Sequence, residues 1–392
     1  MEDKTYLIGL LATLLVLGWA LYQAFVQSRR RISAQKQAIR QMQEKVQLVR
    51  RQAEAGDARA QYNLGTCYYF GEGVEQDLAE AFGWWRLAAV QGDADAQYNL
   101  GVCYDEGDGV EKDLTEAVKW YRLAAEQGHA GAQCNLGACY AQGVEVEADL
   151  AEAVKWYRLS AEQGYALGQY NLGFCYEKGE GVEKDEAEAV RWYRLAAEQG
   201  HVLAQYGLGL CYENGGGGEQ EFTEAANWWR LAAEQGNAKA QYKLGLCYDE
   251  GCGIEKDSAE AVRLWRLAAE QGHASAQYNL GWCYDEGYEV EEDLSEAVRW
   301  YRLAAEQGDA SAQNSLGTCY DEGRGVEQDP AEAVRWYRHA AEQGHAGAQY
   351  NLGGCYEAGY GVEEDEAEAI RWYRLAAEQG VVQAQEKLED LE

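Results

Sequence analysis

The sequence predicts an all-α solenoid of nine 36-residue helix hairpins plus a partial C-terminal repeat, preceded by a transmembrane helix and a helical stalk. Three observations predict it. The AQ of AQYNLG recurs at residues 60, 96, 132, 204, 240, 276, 312 and 348, as GQ at 168, and in a truncated AQEKLE at 384, a period of 36. Each period holds two stretches of helical pattern, each closed by glycine. An uncharged run, Tyr6–Val26, stands ahead of a strongly basic segment. One hairpin of this size cannot bury both helical faces alone, so the copies must stack.

Taken in order, residues 1–27 read as an uncleaved N-terminal anchor. As a helix, YLIGLLATLLVLGWALYQAFV spans roughly 32 Å, enough to cross a bilayer core. Tyr6, Trp19 and Tyr22 fall where interfacial aromatic belts sit. Glu2 and Asp3 precede the run and three arginines follow it, the reverse of a signal peptide. The expectation is a single-pass membrane protein, embedded through residues 6–26, with the repeat array facing the cytoplasm. An exported array, lumenal or periplasmic, is the alternative, and the absence of any Asn-x-Ser/Thr sequon counts against it.

Residues 28–56 form the basic stalk and N-terminal cap. Ile32, Ile39 and Val46 recur at heptad spacing, with Met42 and Val49 three residues after two of them, which fits either a short coiled coil able to make a homo-oligomer or a lone amphipathic helix. Aligning Gly56 with Gly92 puts Leu48, Val49 and Ala53 where later copies have Trp84, Trp85 and Ala89, as a capping helix requires. The nine repeats occupy residues 57–380, and residues 381–392 form a partial C-terminal capping helix.

Within a repeat, helix A runs from about Ala94 to Tyr104 and stops at Gly107; helix B runs from about Leu114 to Gln127 and stops at Gly128. Asp113 followed by Glu116 is a capping-box pattern, repeated from Asp77/Glu80 to Asp365/Glu368 in every unit but the fifth, which has Glu221 in place of the aspartate. Pro330, the only proline, falls at a first helical position, where its missing N–H is harmless. Leu64, Gly65, Ala81 and Gly92 keep their residue type in all nine copies. A mid-helix glycine costs about 1 kcal/mol relative to alanine, so its recurrence implies that large rings at Trp84/Trp85, Trp120/Tyr121 and their equivalents pack on the vacated space.

The layout LGxCYxxGxGVxxDxxEAxxWYRLAAEQGxxxAQ resembles the Sel-1-like repeat family, longer relatives of tetratricopeptide repeats, over residues 57–392. The resemblance implies a right-handed α/α superhelix acting as a non-enzymatic adaptor, with helix A lining its concave groove. Its cysteine-rich secreted branch has two cysteines per unit, whereas this chain has one.

Chemistry is sparse. Nine of eleven cysteines, from Cys67 to Cys355, share one repeat position; stacked equivalents lie on the order of 10 Å apart, beyond disulfide reach, so they read as small core hydrophobes. Cys252 is the candidate exposed thiol. His129, His201, His273 and His345 are 72 residues apart, too far to share a metal. The acidic loops lack the EF-hand pattern, and no nucleophile–base–acid set is present. No enzyme, cofactor or metal is therefore expected. The chain carries −33; residues 27–51 are +7 and residues 1–26 are −1, which leaves −39 on residues 52–392. Such an array repels nucleic acid and favours a basic protein or peptide.

Positions that differ among copies are free to recognise. On helix A, Asn63, Asn99, Asn135, Asn171, Asn279 and Asn351 form a broken ladder of amides suited to an extended peptide's backbone, or to local helix-to-helix bonds. Leu167, Phe174, Leu203, Leu210, Leu246 and Trp282 form an apolar strip across the middle repeats, a candidate anchor or a looser packing layer. The function expected is a membrane-anchored scaffold binding a protein segment in its groove; a structural spacer or self-assembling repeat protein is the alternative.

Overall fold

The computed structural model describes residues 28–29, 37, 40–216, 218 and 220–391. Among them the chain is an all-α repeat solenoid of twenty helices without a strand. Residues 40–54 are helical, nine A/B hairpins follow from Ala58–Phe70 with Leu78–Val90 to Ala346–Ala358 with Glu366–Glu378, and Val382–Leu391 is last. The chain divides into two compact units, Met1–Lys184 and Asp185–Glu392. The described part of the first holds the 40–54 helix, repeats one to three and helix A of repeat four (Ala166–Lys178); the second holds the remainder.

Local chemistry sets the helix ends. In repeat two, helix A is Ala94–Glu106, closed by Gly107 in the left-handed region at φ 87°. Helix B is Leu114–Glu126, and the Asp113 carboxylate accepts from the Glu116 N–H at 3.0 Å. Every helix B from repeat one to nine is capped by an aspartate side chain except Phe222–Glu234, where Glu221 makes no cap bond. The reciprocal half of a capping box is missing. The Asp113 N–H donates to the Tyr104 carbonyl instead, which frees Glu116 to pair with Lys119 at 2.6 Å.

Within each unit, the glycines inside helix A face the second of the two large side chains of helix B. A Cβ on Gly65 would lie 2.6 Å from Trp85, and one on Gly209 would lie 2.4 Å from Trp229. The other ring reaches the neighbouring copy: Trp372 joins the core cluster built on Tyr337 and Leu352, and Trp300 the one built on Trp265 and Leu280. Small-against-large packing therefore works within a hairpin, and the first ring joins hairpins.

A buried glutamine ladder fastens the stack. Gln97 donates to the Ala89 carbonyl of the preceding repeat at 3.1 Å and accepts from Gln127 of its own repeat at 2.6 Å. The same pair of bonds recurs at Gln133, Gln241, Gln277, Gln313 and Gln349. At the N-terminal end, Val46 and Ala53 are buried in the cluster that holds Leu64 and Trp85, while Met42 and Leu48 are exposed. Val46 thus packs on the first repeat; Ile32 and Ile39, its partners in the expected heptad, lie outside the described residues.

The localisation expectation is corrected. No helix among the described residues is long and apolar enough to cross a membrane. Helices of the array have 13 residues, about 20 Å against a hydrocarbon core of about 30 Å. A single-pass protein with its array turned to the cytoplasm has no spanning helix to rest on here. The run at residues 6–26 lies outside the described residues.

Candidate functional site: the clefts along helix A

Within each unit, helix A packs on helix B of its own repeat, as Ala94–Glu106 does on Leu114–Glu126 and Ala346–Ala358 on Glu366–Glu378, and open clefts remain along these helix A faces. In the first unit, a cleft of about 540 Å³ is walled by Tyr98, Asp105, Tyr121 and Asn135, with Lys112 at its rim. A smaller one of about 300 Å³ lies between Tyr62, Trp85 and Asn99. In the second unit, a cleft of about 490 Å³ is lined by Asp321, Tyr350, Asn351, Glu357, Tyr373 and Lys387.

Each large cleft is built on a carboxylate from the last turn of helix A and an aromatic ring from helix B. Tyr121 donates its hydroxyl to Asp105 at 3.2 Å, Tyr301 to Asp285 at 3.3 Å, Tyr337 to Asp321 at 3.3 Å and Tyr373 to Glu357 at 2.5 Å. Burial, reinforced by the neighbouring carboxylate, raises the Tyr121 and Tyr301 pKa far above the ordinary phenol value, so these rings are neutral donors. Several carboxylates are met by a cation of the following repeat. Lys243 Nζ lies 2.8 Å from Glu213 and 5.5 Å from the centre of the Trp229 ring; Lys387 lies 2.7 Å from Glu357, and Arg324 2.6 Å from Asp285.

The predicted asparagines sit on this face. Asn63 is exposed; Asn99, Asn135, Asn171, Asn279 and Asn351 are half-buried. Three of them are engaged within the chain. The Asn135 side chain is hydrogen-bonded to the Tyr121 hydroxyl. Asn171 Nδ2 lies 3.4 Å from Cys134 Sγ, and Asn351 donates to Asn314 at 3.1 Å. Cys134 and Asn314 both stand where other copies have a tyrosine, so the amide reaches into space that a ring otherwise fills.

The apolar strip divides by depth. Leu203 is 48% exposed and Trp282 38%, and Leu167 is also exposed; Phe174, Leu210 and Leu246 are half-buried. Leu210 and Leu246 lean on the cores of their neighbourhoods. Trp282 stacks at a tilt on Tyr288, with ring centres 5.1 Å apart, and the Tyr288 hydroxyl is held by Asp249 at 2.6 Å and Ser258 at 2.7 Å.

Sequence reasoning missed the carboxylate row and the role of the histidines. The signal for the first was visible: an acid follows CY in most copies, as in CYDEG and CYEKG. His129, His201, His273 and His345 are N-caps of helix A, each accepting a backbone N–H at Nδ1. Burial holds all four below the usual imidazole pKa. None of the eleven cysteines is in a disulfide. Burial pushes Cys103, Cys247, Cys283 and Cys319 up to about 12, which leaves them protonated and unreactive.

The period, the hairpins and the cleft-lining positions recur as one unit, and residues 58–93, 94–129, 130–165, 166–201, 202–237, 238–273, 274–309, 310–345 and 346–381 each match the Sel1 repeat. The chain belongs to the Sel1 repeat family. Sel1 repeat proteins generally serve as scaffolds for protein–protein interaction and are typically non-catalytic. This Sel1 repeat chain is similar to a protective antigen present in uropathogenic Escherichia coli strains and displaying an SLR fold, with 37% identity, a TM-score of 0.69, and coverage of 88% of this chain and 82% of that one. It is also similar to a Sel1 repeat protein from Oxalobacter formigenes, with 35% identity, a TM-score of 0.59, and coverage of 79% and 90%. No curated protein matches the chain by sequence.

Proposed function

We propose that this Sel1 repeat protein is a scaffold that holds a protein segment of basic character along the helix A faces of its repeats. The observation that carries the reading is the open cleft at Asp105, Tyr121 and Asn135, a carboxylate-and-ring recess on a chain of net charge −33. Amides that are not used by a neighbouring repeat add donors and acceptors for an extended backbone. Leu167, Leu203 and Trp282 supply exposed apolar surface, whereas Phe174, Leu210 and Leu246 belong more to packing. Residues 28–56 as cap, 57–380 as array and 381–392 as closing helix remain the division we propose.

Selection of random dodecapeptides against the immobilised full chain tests this. Binders enriched in lysine and arginine, released by salt, are expected. Trp282→Ala should weaken capture and leave the melting temperature nearly unchanged, because this ring is not sealed in the core. Absence of any charge-enriched binder removes the reading. A second reading, self-assembly, rests on a row of exposed leucines on helix B: Leu87, Leu123 and Leu159 in the first unit, and Leu195, Leu231 and Leu303 in the second. Sedimentation of the full chain across concentrations separates the two.

A further inference from the structure

The chain contains its own picture of what fits the helix A clefts. Asp105, Tyr121 and Asn135 of repeats two and three correspond, three periods on, to Glu213, Trp229 and Lys243; seven periods on, they correspond to Glu357, Tyr373 and Lys387. At both later places the asparagine is replaced by lysine, and its ammonium meets the carboxylate; at Glu357 a cleft of about 490 Å³ remains beside the pair. Lys243 Nζ sits 2.8 Å from Glu213 and 5.5 Å from the Trp229 ring centre, and Lys387 Nζ sits 2.7 Å from Glu357, which also holds the Tyr373 hydroxyl at 2.5 Å. A carboxylate beside a ring is an environment that stabilises an ammonium by charge and by cation–π attraction.

At Asp105 the same frame lacks that ammonium from within. Asn135, a shorter side chain, turns to the Tyr121 hydroxyl, and a cleft of about 540 Å³ stands in front of Asp105. The nearest in-chain cation is Lys112, 3.8 Å from Asp105 and itself 57% exposed. A long, solvated pair of this kind contributes about 0–1 kcal/mol; Oδ2 of Asp105 accepts from Tyr121, while Oδ1 faces Lys112 at this long distance, where Glu357 has Lys387 at 2.7 Å.

We infer that the cleft formed by Asp105, Tyr121 and Asn135 is a subsite for a lysine side chain of a partner protein segment, the position that Lys243 and Lys387 fill in their own repeats. This deepens the scaffold reading and rests on it. The guest ammonium pairs with Asp105, its stem lies against Tyr98 and Tyr121, and the chain carrying it runs over helix A of repeat three.

The test uses the full chain and two fluorescein-labelled decapeptides, one of alternating lysine and serine, the other with each lysine Nε-acetylated. Anisotropy is read at about 0.1 M salt, where non-specific attraction is screened. The lysine peptide should bind and the acetylated one should not. Asp105→Asn should weaken binding about tenfold, whereas Glu111→Gln, which removes the same charge from an exposed loop position, should change it less than about twofold. Asn135→Lys should block the subsite and weaken binding to a similar degree without lowering the melting temperature, since its ammonium settles as that of Lys243 does. Equal effects of Asp105→Asn and Glu111→Gln, or an Asn135→Lys variant that melts earlier and still binds, would overturn the subsite. Enrichment of basic dodecapeptides that is indifferent to Asp105→Asn defeats the subsite alone, while no enrichment at all defeats the scaffold reading beneath it.

Discussion

Acid should loosen this array at alternate repeats. Helix A of repeats three, five, seven and nine begins on His129, His201, His273 and His345, whose Nδ1 accepts from the N–H of Ala132 at 3.1 Å, Ala204 at 3.2 Å, Ala276 at 3.3 Å and Ala348 at 3.1 Å. Only the neutral ring has that lone pair. Protonation sets two donors against each other and places a cation at the positive end of a helix. A lost N-cap costs about 1 kcal/mol, so the four together amount to about 4 kcal/mol distributed over four hairpins.

Burial lowers each folded pKa, and the flanking charges grade the effect. Asp95, 3.6 Å from His129 Nε2, works against the lowering, and Asp309 does the same for His345, whereas Lys239 deepens it for His273. With the folded pKa below the unfolded one, the unfolded chain binds more protons in between. Stabilisation is therefore complete above about pH 6.5 and is lost as pH falls through the depressed folded value. Hydrogen exchange read repeat by repeat at about pH 7.5 and about pH 5, corrected for intrinsic rates, gives the measurement. Protection at Ala276 should fall about fivefold relative to Ala240, whose cap is the non-titrating Asn237 at 2.9 Å. Replacing all four histidines with asparagine should abolish the difference. Parallel losses at Ala276 and Ala240 would refute the argument.

Further outcomes follow from the packing. Gly209→Ala should destabilise by about 1–3 kcal/mol, because its Cβ would meet Trp229 at 2.4 Å, whereas Gly83→Ala, with nothing within 4 Å, should stabilise by up to about 1 kcal/mol; thermal melts compare them, and equal effects would remove the small-against-large account. Gln97→Leu loses the buried bond to the Ala89 carbonyl and the bond from Gln127, whose exposed amide keeps Leu123, so denaturant melts should show a loss of about 1–3 kcal/mol. A thiol reagent at neutral pH should leave Cys103, Cys247, Cys283 and Cys319 unlabelled in the native chain and label them once it is denatured. Rapid native labelling of these four would contradict their burial.

Much of the fold was legible in the sequence because its causes are local. Glycine after a helical run takes the left-handed closing conformation, as Gly107 does, and an aspartate ahead of Leu114 can reach the free amides of the first turn. The pairing of a large ring with a glycine was legible too, though not that Trp85 rather than Trp84 makes the contact with Gly65. The candidate site was less legible. Asn171 and Asn351 share a face with Asn63 in the one-dimensional pattern, yet each spends its amide on the preceding repeat.

Alone, the sequence determined the period, the number of hairpins, the aspartate caps of helix B and the acidic character, since each depends on residues within one turn or on a sum over the chain. Tertiary structure decided which carboxylates are paired with a lysine 30 residues on, which are left without one, and which apolar side chains of the strip stay exposed. Those outcomes depend on how one hairpin leans on the next. A lean of a few ångströms turns the same residue type from a neighbour's partner into a free surface.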